Sequence, residues 1–281
     1  MGRPTAFVTG ASRGIGKGIA RHLARAGFDV AITARTVQPG EEREHSSTVR
    51  KSDTSALPGS LTATAEEIEA AGAKAMVVPA DLLDRASLGA AMATVLERWG
   101  RVDVLVNNGR YVGPGHMDHI IDTPLELLDK HLQANAMAPL VLIKQVLPSM
   151  VAAGGGTIIN VSSSAGIGDP PAPAGQGGWG LGYGFSKAAA YRIAGMLALE
   201  LGDRGIKAFN LEPGFVATER MVQDMGAFGF DASSGVPVDV PGAVAAWLAT
   251  DPAAVERNGL TVHAPELCEQ LGLVAGWPAP A

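Results

Sequence analysis

What most restricts this chain is a rhythm: short apolar runs rich in β-branched residues alternate with longer segments of helical periodicity from one end to the other. The runs at 5–9, 29–34, 74–79, 102–107, 157–161, 206–211 and 260–263 mostly carry Val, Ile or Phe in short apolar stretches, as strands covered on both faces do. The intervals 14–26, 61–71, 85–99, 124–152, 183–201 and 241–249 read as helices. Strictly alternating elements of this kind give a parallel sheet with helices on both faces and right-handed crossovers. We therefore expect a doubly wound α/β fold of about seven strands, with residues 1–281 forming one domain.

Two stretches interrupt the rhythm. Residues 36–60 are polar, contain Glu41, Glu42, Arg43, Glu44, His45, Ser46 and Ser47, and read as an inserted loop. Residues 169–182, DPPAPAGQGGWGLG, exclude regular structure and hold Trp179 as their only large anchor. Neither divides the chain, and no internal repeat is present.

A net charge of -6 without any Lys/Arg run argues against nucleic-acid or anionic-membrane partners, because counterion release needs a basic surface. A small soluble ligand is the expectation. The lone Cys268 excludes an internal disulfide and reads as a partly buried, inert thiol. No apolar run approaches the length of a membrane span and no leader pattern opens the chain, so a cytoplasmic location is expected. His116, Asp118 and His119 invite a metal, but no second ligand group at diagnostic spacing accompanies them, and none is expected.

The first run ends at Thr9 and passes into Gly10, Ala11, Ser12, Arg13, Gly14, Ile15 and Gly16, where a helical pattern begins. Glycines suit a tight strand-to-helix turn whose backbone approaches a pyrophosphate closely, with the phosphate charge at the helix N-terminus. A plain glycine-rich turn is the alternative, and the strand before and helix after it favour the phosphate reading. This TGxxxGIG segment resembles that of the classical short-chain dehydrogenase/reductase family, and the resemblance runs over roughly residues 5–220. It implies a Rossmann-like fold, a nicotinamide dinucleotide, a small-molecule substrate and a homodimer or homotetramer.

By that resemblance, Asp81 and Leu82 stand at the adenine, and Asn107, Asn108 and Gly109 correspond to an NNAG segment, in which Gly109 replaces alanine and Arg110 replaces glycine. A turn requiring positive φ at that last position would resist arginine. The second strand ends with Arg35 and no acid, so Arg35 and Arg13 are expected to clamp a 2′-phosphate, favouring NADP(H), with NAD(H) as the alternative. Pro213, Gly214, Val216 and Thr218 resemble the segment at the nicotinamide end.

Carbonyl reduction by hydride leaves an alkoxide that must gain a proton. Tyr183 and Lys187 lie on one helical face at i, i+4, so the ammonium can lower the phenol pKa. A Tyr-x-x-x-Lys pair alone is a poor motif, but the run Ile158–Val161 leading into Ser162, Ser163 and Ser164 resembles the strand that delivers the family's catalytic serine. The resemblance assigns that role to Ser163, with Ser162 as runner-up, and to Asn135 a backbone carbonyl in the proton relay. Trp179, Met221 and Met225 are expected at the substrate, beneath a lid at 217–238 that also contains Val222, Phe228 and Phe230. Flexible thioethers and aromatics suit a hydrophobic ketone or secondary alcohol, cyclic, steroid-like or fatty, rather than a sugar or charged acid. A cofactor-sensing binding protein is a second reading, although such proteins normally lose the Tyr/Lys pair. A sugar-nucleotide epimerase or dehydratase is a third, and the short stretch after Thr218 disfavours it.

Overall fold

A computed structural model describes residues 2–224, 231 and 234–278. Among these, one all-parallel sheet is built from β1 (Thr5–Thr9), β2 (Asp29–Thr33), β3 (Ala75–Val77), β4 (Val104–Asn107), β5 (Gly156–Val161), β6 (Ile206–Glu212) and β7 (Thr261–His263). The spatial order is β3-β2-β1-β4-β5-β6-β7. The order turns back between β1 and β4, and at such a switch point a crevice opens beyond the carboxyl ends of the strands.

The connecting helices are α1 (Gly14–Arg25), α2 (Leu61–Ala70), α3 (Arg85–Trp99), α4 (Leu125–Leu132), α5 (Ala138–Ala152), α6 (Leu181–Leu201), α7 (Glu219–Asp224), α8 (Asp239–Thr250) and α9 (Ala264–Leu271). The pleat sends alternate strand residues to opposite cores: Ala6 and Val8 of β1 pack with Ile19, Leu23, Ile68, Val244 and Leu248 of α1, α2 and α8. Phe7, between them, packs with Met92, Leu142, Val146 and Leu197 of α3, α5 and α6. Helix starts follow side-chain capping: Ser60 accepts from the Ala63 amide at α2, and Asp84 accepts from Ala86 and Ser87 at α3. Cys268 is fully buried in the first core, deeper than its sequence reading.

Three departures from the sequence reading matter for the site. Helix α6 begins at Leu181, so the Pro/Gly-rich segment ends two residues sooner than expected. The expected single helix 124–152 is interrupted by a π-turn at Gln133–Met137, which widens the turn and releases backbone carbonyls from regular pairing. The whole helical run 125–152 is long and apolar enough to cross a membrane, contrary to expectation, yet 50% of its most apolar window is buried within the protein, as in a core helix.

The third departure is the insertion. It folds back, burying His45, Ser46 and Ser47. The buried Asp118 carboxylate accepts from the Thr48 hydroxyl at 2.5 Å and the Val49 amide at 2.9 Å, while the Met117 amide donates to the Ser47 carbonyl. Arg220 of α7 donates from Nη2 to the His45 carbonyl and the Ser47 hydroxyl. The polar insertion is thus a strap between the loop after β4 and the helix after β6.

Candidate active site

A cavity of about 260 Å³ lies at the carboxyl ends of β1, β2, β4 and β5. Its floor is the β1–α1 turn. Gly10 and Gly14 have φ of 65° and 54°, in the left-handed region that glycine tolerates. A Cβ on Gly16 would stand 2.3 Å from the Gly10 carbonyl oxygen and 2.4 Å from Asn108 Nδ2, so no side chain fits there. Asn108 locks this turn to β4, donating from Nδ2 to the Thr9 and Gly10 carbonyls, and the Asn108 and Gly109 amides both donate to the Thr9 hydroxyl.

The α1 N-terminus is engaged by an anion already: the Gly14 amide donates to Glu219 Oε2 at 3.0 Å. A carboxylate therefore stands where a dinucleotide phosphate is expected, and the donor geometry fits that group. Gly10, Ser12, Arg13, Gly14, Ile15, Arg35, Asp81, Leu82, Asn108, Gly109, Tyr183, Lys187, Pro213 and Thr218 all line the cavity. Gly16 shapes the turn from behind. Gly214 and Val216 do not reach the cavity: Gly214 bonds Glu212 Oε2 through its amide, and Val216 is buried in a bridge with Val236.

The expected phosphate clamp is only partly assembled. Arg35 lines the cavity, but Arg13 donates from Nε to the Pro58 carbonyl at 2.8 Å and from Nη2 to the Gly59 carbonyl at 3.2 Å, fastening the strap instead. The strap brings Arg43 to the cavity, and its Nη2 reaches the Arg35 carbonyl and Glu41. Sequence reasoning missed Arg43, which shows itself only once the insertion is folded.

At the other end, Tyr183 and Lys187 rise from α6 beside the end of β5. Lys187 Nζ donates to the Val161 carbonyl at 2.8 Å and stands 5.9 Å from the centre of the Tyr183 ring. Burial pulls the Lys187 ammonium below its ordinary pKa, while the Tyr183 phenol opposes that shift. His116 packs edge-on against Tyr183 with centroids 4.6 Å apart, and burial, reinforced by Arg110, holds it neutral well below the usual imidazole range. The same causes take His131 down to about 4.

Asn135 sits in the π-turn and ties the site together through its side chain. Oδ1 accepts from the Tyr111 amide at 2.7 Å, and Nδ2 donates to Ser186 Oγ at 2.8 Å, whose hydroxyl in turn donates to the Tyr183 carbonyl. Ser163 caps the turn after β5, accepting from the Ala165 amide at 3.3 Å, and, against the sequence expectation, is not among the residues that line the cavity. Ser162 lines the cavity, with a buried hydroxyl that has no partner among the described residues. Buried Glu212 accepts from the Ser164 and Gly214 amides, joining the ends of β5 and β6, another positioning group the sequence did not single out. Arg110 does not have positive φ, so the anticipated conflict with the turn does not arise.

Of the expected substrate residues, Trp179 packs near Gly184 and Met221 belongs to the first turn of α7, and neither lines the cavity. Met225, Phe228 and Phe230 lie outside the described residues.

The profile of the short chain dehydrogenase family matches residues 4–59 and 54–226. Oxidoreductase UcpA of Salmonella typhimurium is 33% identical over 216 residues, covering 76% of this chain and 70% of that protein. Short-chain dehydrogenase/reductase eriH of Hericium erinaceus is 32% identical over 244 residues, covering 84% and 86%. Human hydroxysteroid dehydrogenase-like protein 2 is 33% identical over 158 residues, and the match spans 56% of this chain but only 34% of that longer protein. Among solved structures, a metagenomic short-chain oxidoreductase in complex with NADP superposes with a TM-score of 0.70 at 30% identity, covering 92% of this chain and 96% of that one.

Proposed function

Because the chain belongs to the short-chain dehydrogenase/reductase family and is an oxidoreductase, we propose that it moves a hydride between NADP(H) and a carbonyl or secondary alcohol with an apolar body. The observation that carries the cofactor choice is the charge of the cavity. Among the described residues, Arg13, Arg35, Arg43, Arg110, Arg220 and Lys187 line it against one lining acid, Asp81, with Glu219 at the Gly14 amide and Glu41 paired to Arg43 beside it, and Arg35 rather than an acid follows the end of β2. NAD(H) in the same chemistry is the second reading, favoured by the engagement of Arg13 with the strap.

The nicotinamide supplies or accepts the hydride. Tyr183 gives a proton to the carbonyl oxygen during reduction and takes it back during oxidation. Lys187, held by the Val161 carbonyl, keeps its ammonium 5.9 Å from the centre of the Tyr183 ring, where it would steady the charge of the proton-transfer step. Ser163 donates to the reacting oxygen, with Ser162 as the alternative donor. Asn135 fixes the relation between the loop after β4 and α6, and its π-turn carbonyl suits a water in the relay to Lys187. Gly10, Gly14 and Ile15 would hold the pyrophosphate of a bound dinucleotide, Asp81 and Leu82 would border its adenine, and Thr218 would meet its carboxamide. A second copy of the chain is the proposed partner for the apolar side chains left exposed on α4 and α6, among them Leu125, Phe185 and Leu199.

The test is NADPH oxidation followed at 340 nm against a panel of ketones and aldehydes. Wild type is expected to turn over at least one of them. Tyr183→Phe is expected to lose about a thousandfold or more in kcat with cofactor affinity nearly unchanged, since only the hydroxyl is removed. A Tyr183→Phe enzyme near the wild-type rate removes the assignment.

A further inference from the structure

Where the family pattern has glycine after its NNA segment, this chain sends a guanidinium into the cavity. Arg110 lines the same cavity as Tyr183 and Lys187, and its Cζ stands 5.6 Å from the centre of the Tyr183 ring. One N–H, on Nη1, donates to the Tyr111 carbonyl at 3.0 Å, and the other N–H groups have no protein acceptor among the described residues. No carboxylate among the described residues acts on it: its electrostatic neighbour is Tyr183, and burial is the larger influence, pulling its pKa down. Arg110 is half-buried and its free N–H groups face the cavity without a counter-charge, a setting that an anion completes, and an arginine fork matches a carboxylate bidentately. The charge sits next to the proton donor, whereas the phosphate cradle is organised by Gly14 and Glu219 at the opposite end.

We propose that Arg110 is the receptor for a carboxylate on the substrate, so that this chain acts on an oxo or hydroxy acid with an apolar body. This rests on the reading of the Tyr183 cavity as the place of carbonyl reduction, and it replaces the uncharged ligand expected from sequence with an amphipathic one. The acid group lies on Arg110 while the carbonyl oxygen faces Tyr183, which orients the reacting carbon from two points.

The experiment is a calorimetric titration of the protein, with and without saturating NADP, using hexanoate and its uncharged isostere hexanamide. Wild type is expected to bind hexanoate at least about tenfold more tightly than hexanamide, with the preference abolished in Arg110→Gln and partly kept in Arg110→Lys. Equal affinities in wild type overturn the proposal without reference to any variant, and so does a preference that survives in Arg110→Gln. NADPH affinity of Arg110→Gln is expected to stay within about threefold of wild type, and a loss of about tenfold or more places the guanidinium on a cofactor phosphate and overturns the proposal. The titration requires no turnover, so its failure is distinct from the failure of the oxidoreductase reading.

Discussion

The two ends of the cavity are made by opposite means. At the β1–α1 turn the geometry is a matter of backbone touching backbone: Gly10, Gly14 and Gly16 lie close together in sequence, and a single added Cβ at Gly16 meets a carbonyl oxygen at 2.3 Å. At the Tyr183 end it is a matter of side chains reaching across the chain. Asn135 joins Tyr111 to Ser186, Asp118 holds the strap at Thr48 and Val49, and Arg220 holds it from the far side. The first kind of site tolerates no substitution and is written locally. The second can be re-aimed by changing one distant contact, which suits the part of an enzyme that chooses its substrate.

The contrast breaks most sharply at Gly16. Gly16→Ala is expected to raise the NADPH dissociation constant at least about a hundredfold, because the turn must open to relieve backbone contact. Binding within about threefold of wild type, measured by nicotinamide fluorescence, would show that the turn has slack the structure denies.

Asp118→Ala should act more mildly and at the other end. It leaves the Thr48, Val49 and Gly115 donors without their acceptor, for a loss of about 2 kcal/mol and a Tm lowered by a few degrees. The strap should also become more open to hydrogen exchange. Unchanged Tm and unchanged exchange over residues 45–49 would mean that the strap is held by other contacts.

The smallest expected effect sharpens the boundary between the two ends. Glu219, from the helix after β6, occupies the Gly14 amide at the phosphate cradle. Glu219→Gln removes a negative charge that an incoming phosphate must displace, and NADPH should bind about three- to tenfold more tightly. Weaker binding in the variant would show that the carboxylate assists the cofactor.

The difference between the ends also explains what could be read in the sequence. The strands, the glycine turn and the Tyr183/Lys187 pair are local patterns, and they stand where periodicity and spacing put them, within one or two residues at α1, β2, β5 and β6. The π-turn at Asn135 escaped because nothing in the residue types of Gln133–Met137 marks where a helix widens. The burial of the polar 36–60 segment escaped because its partners, Asp118 and Arg220, lie 70 and 173 residues away from the groups they hold. Arg13 reads as a phosphate ligand by position, and only the folded strap shows its guanidinium engaged by carbonyls. Arg43 enters the cavity for the same reason.

The proposed function makes this positively lined cavity a cradle for a phosphorylated nicotinamide dinucleotide, with Arg35 as the 2′-phosphate contact. The direct measurement is a parallel fluorescence titration of wild type and Arg35→Asp with NADPH and NADH. Wild type is expected to bind NADPH at least about tenfold more tightly than NADH, and Arg35→Asp to lose or reverse that preference. Equal affinities of wild type for the two cofactors, or tighter binding of NADH, would contradict the account.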